Sequence, residues 1–277
     1  MTPRLAEPTV GRLIVARHRV ETTGRLPLLI ATLPVVLAVL ALVGYRAMAD
    51  EVGRGTAKAM SWSPELRAFL TDLNPATFAA IASTDSLYKA YFSFALILVG
   101  LVAWRVVGVT YADGVHAYFL LGGRTRAGIA VNTLGVLAAL VAELVALTFA
   151  ANALAGLAGF GGQLAEVTPA QVAGAVALHA AALVPLLNYA VLIALAARLH
   201  APRVPLLVAA VCLPLAIGLL DTVTPTKYGS PWGTLAFFTS FPAPDAAFGS
   251  ALAVEVGWLG VFVALFLWAS AREQMLS

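Results

Sequence analysis

The sequence predicts an all-α integral membrane protein: six transmembrane helices preceded by an in-plane amphipathic helix, with a short inner helix between the second and third spans. Three observations carry that prediction. Of 277 residues, 61% are hydrophobic and 11% charged, against about 45–50% and about 25% in ordinary soluble domains, and the mean hydropathy is +0.90. The apolar residues come in runs long enough to cross a hydrocarbon layer of about 30 Å, which takes about 20 residues. The basic residues, 14 Arg and 3 Lys, gather at the ends of those runs. This composition excludes a water-soluble enzyme, a disordered tail and a disulfide scaffold. The one cysteine, Cys212, has no intrachain partner and lies in an apolar run, where it acts as a small hydrophobe. The net charge of +3 is explained by span-flanking arginine, so no nucleic-acid partner is expected.

Residues 9–25 come first. Val10, Leu13, Ala16 and Val20 fall on one helical face, while Arg12 and Arg19 fall elsewhere. Arg12, Arg17, Arg19 and Arg25 suit an interfacial helix lying on anionic headgroups. The plainer reading is a basic flank that only sets topology.

The spans follow at 26–45, 91–107, 127–154, 171–197, 204–220 and 248–269. Pro34, Pro185 and Pro214 lie inside them and suggest kinks, which neighbouring helices make tolerable in a bilayer. Ala47-Met48-Ala49 resembles a signal-peptidase site, but the preceding apolar run of about 19 residues exceeds the roughly 7–15 of a signal core. The first span is expected to remain attached.

Two connections are long. Residues 46–89 form an extracytoplasmic loop with helix starts of its own, because Ser63-Pro64-Glu65 and Asn74-Pro75 each set a capping residue before a proline. This loop would gate the outer exit or dock an extracytoplasmic partner. Thr168-Pro169 marks the start of the fourth span in the same way. The second long connection, Asp221 to Asp245, is rich in Pro, Gly and Thr. Its Trp232, Phe237, Phe238 and Phe241 suit an interfacial belt or a partial return into the membrane. No 20–50-residue repeat appears, so the whole chain, 1–277, reads as a single transmembrane domain.

Orientation follows from arginine. With the N-terminus inside, Arg4, Arg12, Arg17, Arg19, Arg25, Arg105, Arg124, Arg126, Arg198, Arg203 and Arg272 lie on the cytoplasmic side. Arg46, Arg54, Lys58, Arg67, Lys89 and Lys227 lie on the other, mostly beside acidic residues of the first loop. Both termini are therefore expected in the cytoplasm.

The inner stretch from Arg105 to Arg126 contains Asp113-Gly114, His116, Phe119-Leu120-Leu121 and then Gly122-Gly123-Arg124-Thr125-Arg126. Its centre suits a short helix with an apolar face, either docked on a partner or re-entering the interface alone. With six spans, cytoplasmic termini and a basic in-plane helix, the layout resembles the membrane subunit of an ABC transporter of the type-2 permease family. Such subunits carry an inner loop of the form acidic-x-x-Gly-x-x-x-x-Leu-Leu-x-x-Pro-x-x-Arg. Here the acidic run is reduced to Asp113, and glycine replaces the proline.

The resemblance implies a permease subunit of an exporter that pairs with a second copy or a paralogue. Asp113, Gly114, His116, Leu120, Leu121, Arg124 and Arg126 would couple it to a cytoplasmic ATPase. The chain has no Gly-x-x-x-x-Gly-Lys-Ser/Thr phosphate loop. It is therefore not expected to be an enzyme or to bind a cofactor or metal, and ATP and Mg belong to the partner. The implied location is the cytoplasmic membrane of a prokaryote, in contact with lipid. Walls of Ala, Leu, Val and Phe favour an apolar or amphipathic substrate.

Four polar residues in the spans are candidates for the translocation path: Glu143, His179, Asn188 and Glu255. Each has a packing alternative. His179 and Asn188 share roughly one face, so one of them is expected to reach Glu143 if the third and fourth spans pack. Glu255 is expected near the outer headgroups. Two rival functions are an ion-coupled carrier using Glu143 and a polytopic membrane enzyme. The first wants paired broken helices, which the apolar runs do not display. The second wants a nucleophile or zinc motif within a span, and none is present.

Overall fold

The computed structural model describes residues 25–88, 94–108, 125–198, 231–234 and 246–272, with single positions at 208 and 212. It is all-α. Helix α1 runs Arg25–Gly53, α2 Ala57–Met60, α3 Pro64–Thr71 and α4 Pro75–Ser83, which a π-helical stretch extends through Thr84–Tyr88. Then come α5 (Phe94–Val107), α6 (Arg126–Phe160), a 3₁₀ stretch (Gly161–Glu166), α7 (Pro169–Ala181), α8 (Leu183–Arg198) and α9 (Ala246–Arg272).

Among the described residues, four helical segments are long and apolar enough to cross a membrane: Ile30–Gly53, Arg126–Glu166, Pro169–Arg198 and Phe248–Arg272. The chain is a membrane-embedded helical protein. The predicted in-plane helix, the inner helix and most of the span at 204–220 lie outside the described residues.

Capping chemistry sets the helix starts. The Ser63 side chain accepts from the N–H of Leu66, and Pro64 occupies the first turn. Asn74 accepts from the N–H groups of Ala76 and Thr77, while the Thr77 hydroxyl accepts from the N–H of Asn74. Thr168 and Gln171 make the same reciprocal pair ahead of α7. Each arrangement satisfies donors that the first helical turn leaves without partners.

The span bounds differ from the sequence expectation in an instructive way. α1 continues past Tyr45 to Gly53, and α6 continues past Leu154 to Phe160. At 35 residues, α6 is about 52 Å long at 1.5 Å per residue. It therefore overshoots the hydrocarbon layer. The excess is packed, since α4 lies against its C-terminal half and α1 against its side.

Of the second span, α5 is described: its 14 residues measure about 21 Å, and residues 89–93 ahead of it lie outside the described residues. α5 packs on α8 and the first half of α6, whereas α4 packs on α7 and the last half of α6. α4 and the π stretch thus pack along one part of the bundle and α5 along another. Residues 46–89 are thus not simply an outer cap. Their last part is buried in the bundle, with Phe78, Ala79, Ile81, Ala82 and Ser83 all inaccessible. The fourth span runs on through Ala182 between α7 and α8, a residue that keeps helical backbone angles (φ −62°, ψ −20°). Pro185 lacks the N–H that would bond the carbonyl of Ala181, so one helical hydrogen bond is missing there.

The apolar interior has two parts. One joins α5, the first half of α6, α8 and α9 through Leu96, Val106, Leu137, Leu140, Leu186, Tyr189 and Phe266. The other joins α1, α3, α4 and the end of α6 through Ala38, Leu70, Leu73, Phe78, Ala82, Ala155 and Phe160. In a bilayer such faces associate by close packing and hydrogen bonds, since lipid is as apolar as leucine. Opposite them, α1 exposes Val35, Val36, Val39, Leu40 and Val43, and α9 exposes Val254, Val256, Val261 and Leu265. Cation–aromatic pairs stand at the helix ends: the Arg272 guanidinium lies 4.2 Å from the Trp268 ring centre and Lys58 6.0 Å from that of Trp62. Such pairs belong at a membrane interface.

Candidate functional site

Between the two apolar clusters the buried positions turn polar. Along α6 the first cluster ends at Val145 and the second resumes at Ala155, and between them Thr148 and Asn152 are buried. On α4 and the π stretch, Ser83 and Ser86 are buried between Ala82 of one cluster and Leu87 of the other. His179 is buried on α7 just before the proline site at Ala181–Pro185. Buried polar side chains therefore accompany the π stretch and the proline site.

Most of the hydroxyls at this seam bond back to their own helix. Thr148 donates to the Leu144 carbonyl at 2.7 Å, Ser83 to Ala80 at 2.7 Å and Ser86 to Ala82 at 2.9 Å. Such bonds satisfy the donor and leave lone pairs facing outward from the helix. Asp85 of the π stretch accepts from the Tyr45 hydroxyl of α1 at 2.8 Å.

His179 and Asn152 differ from these. The imidazole Nδ1 lies 2.8 Å from the Ala175 carbonyl, which can only accept, so Nδ1 carries the proton. In the neutral ring Nε2 is then an acceptor, and among the described residues it has no partner. Asn152 Nδ2, a donor on the adjoining helix, likewise has none among them. The His179 ring stands edge-on to Phe149 at 4.9 Å, one turn from Asn152 on α6. Each is a buried polar atom of the kind that a hydroxyl group or a water satisfies.

A second polar cluster ties α8 to α9. Asn188, fully buried, donates from Nδ2 to the Glu255 carbonyl oxygen at 3.1 Å and to the Pro231 carbonyl oxygen at 2.9 Å. Glu255 is also fully buried, and its Oε1 accepts from both the N–H and the hydroxyl of Thr234, each at 2.7 Å. Trp232 stands edge-on to Tyr189 at 6.4 Å. The segment 231–234 is thus drawn into the bundle, one of the two placements that its aromatic content suggests.

No protein-family model matches the chain, and no curated protein does. The geometry therefore stands alone.

Glu143 lies half-buried on α6, in the stretch flanked by Leu140 and Leu144. The expected Asn188–Glu143 pairing is not what holds Asn188, whose donors are taken by Pro231 and Glu255. His179 bonds within its own helix. Glu255 is inaccessible within the bundle, where Thr234 is brought to it. Arg126 opens α6, and its Nη1 is buried with no partner among the described residues. Arg25 begins α1. Arg12, Arg17, Arg19, Asp113, Gly114, His116, Leu120, Leu121 and Arg124 lie outside the described residues. Two residues that sequence reasoning passed over are Asn152 and Thr234. Asn152 carried a weak signal, since it is an amide inside the expected third span, two residues from its end. Thr234 carried none.

Proposed function

We propose that this chain is the permease subunit of an ATP-driven exporter, moving an apolar or amphipathic solute across the cytoplasmic membrane of a prokaryote by alternating access. The observation that carries the transport reading is the polar seam at the π-helical stretch Thr84–Tyr88 and the proline site at Ala181–Pro185. Polar groups inside a bilayer are costly and mark substrate paths. A π-helical stretch and an internal proline each disturb the helical hydrogen-bond ladder, and such places allow one half of a helix to bend against the other.

The energy source rests on the resemblance of the Asp113–Arg126 stretch to the coupling loop of type-2 ABC permeases. The helices on either side of that stretch, α5 and α6, pack on one another. A separate ATPase seated there would drive the spans, with a second copy or paralogue completing the permease. Six spans, an in-plane helix at 9–25 and cytoplasmic termini belong to this reading.

Affinity purification of the tagged chain, coexpressed with its genomic neighbours in mild detergent, tests it. A stoichiometric ATPase is expected, and it is expected to be lost when Asp113, Arg124 and Arg126 are charge-reversed. Copurification indifferent to those reversals would refute the coupling assignment.

The same seam also favours a second reading, an ion-coupled carrier, because ionisable residues within spans, His179 among them, mark ion and proton paths. Under that reading no ATPase copurifies, and Glu143→Gln abolishes a pH-driven flux.

A further inference from the structure

Asn188, Glu255 and the turn at 231–234 are joined by four hydrogen bonds. Asn188 of α8 holds the backbone of α9 at Glu255 and the backbone of the turn at Pro231 with the same amide nitrogen. Glu255 of α9 holds the turn at Thr234 through two bonds to one carboxylate oxygen. Each of the three partners is therefore bonded to the other two. Gly233 and Thr234 are buried, and Trp232 adds its ring against Tyr189, the neighbour of Asn188. The apolar contact between α8 and α9 continues on Ala190, Ile193, Ala194, Phe262 and Phe266.

We propose that Pro231–Thr234 is a plug seated between α8 and α9, and that Asn188 and Glu255 are its latch, so that the two helices part only when the plug is released. The reason lies in what each residue leaves behind. If α8 moved off α9, Asn188 would lose both acceptors. If the turn alone left, Glu255 would lose two short hydrogen bonds inside an apolar bundle. Buried polar groups stripped of partners are costly, and the cost is larger where no water enters. The three bonded elements therefore stay or go as one. Applied to the transporter reading, on which its role as a gate rests, the latch holds the bundle in its closed state.

Hydrogen–deuterium exchange on the purified full chain tests the latch without any partner or substrate. The reporter is the Thr234 N–H, read in the peptide covering 231–234. It is expected to exchange slowly in the unaltered protein, at the pace of the α8 and α9 core. Thr234→Val keeps the N–H and removes the hydroxyl, and Asn188→Ala removes only the α8 side. Both are expected to speed exchange at 231–234 by about tenfold or more while peptides from α1 and α4 keep their rates. Glu255→Gln retains an acceptor oxygen and is expected to stay close to the unaltered protein, whereas Glu255→Ala behaves like Asn188→Ala.

The decisive arm is Asn188→Ala, because Asn188 does not touch Thr234. An unchanged rate there would mean two independent contacts and would overturn the latch. So would a Thr234 N–H that exchanges freely in the unaltered chain, or a Glu255→Gln variant as fast as Glu255→Ala. Since no nucleotide is used, failure to find an ATPase leaves this result standing, and the reverse also holds.

Discussion

A Cβ atom placed on Gly156 would lie 2.7 Å from the carbonyl oxygen of Pro75, closer than packed atoms approach. That contact seats α4 on the long helix α6. Gly156→Ala is expected to destabilise the fold by about 1–3 kcal/mol through overpacking against backbone. Gly162→Ala, in open space, is expected to change stability by less than about 0.5 kcal/mol. Thermal unfolding in one detergent compares the two, and equal shifts would contradict the packing described. In the sequence these glycines look alike. Gly156 differs only because Pro75, 81 positions earlier, meets it in space. The same holds for Glu255: a carboxylate near a span end reads as interfacial until Thr234 is brought beside it. Local chemistry was more legible, since Ser63, Asn74 and Thr168 cap the helices that their spacing from proline announces.

Single elements follow their own sequence where one face decides them. α1, α6 and α9 are continuous apolar runs, and their existence, though not their length, can be read directly. α4 cannot be, because Pro75–Ser83 lies among the charges of residues 46–89 and so reads as loop. Burial between α6 and α7 is a tertiary fact that no periodicity reports. Asn74 is the anchor of that buried helix, accepting two backbone N–H bonds while itself 3% exposed. Asn74→Ala is expected to cost about 1–2 kcal/mol, while Asn74→Asp keeps the acceptor and most of the stability. Exchange of peptides covering 75–88 reads the difference. Equal protection in the two variants would show that packing alone fixes α4.

For the molecule as a whole, composition decides the class but does not place the polar seam. That seam arises where buried positions change from apolar to polar on three elements, at Ser83, at Thr148 and Asn152, and at His179, and burial of this kind is set by the fold. Its transport role predicts that water reaches the seam from one face of the membrane at a time. Because Cys212 is the sole cysteine, Cys212→Ser gives a clean background in which Asn152→Cys reports on the seam. The measurement is the labelling rate of that cysteine by a membrane-impermeant thiol reagent, added to either face of vesicles containing the protein and the ATPase proposed to pair with it. The account predicts reaction from one face, and a several-fold shift toward the other face when nucleotide is trapped on the ATPase. A cysteine that reacts from neither face in any state would contradict it and make the seam a sealed packing contact.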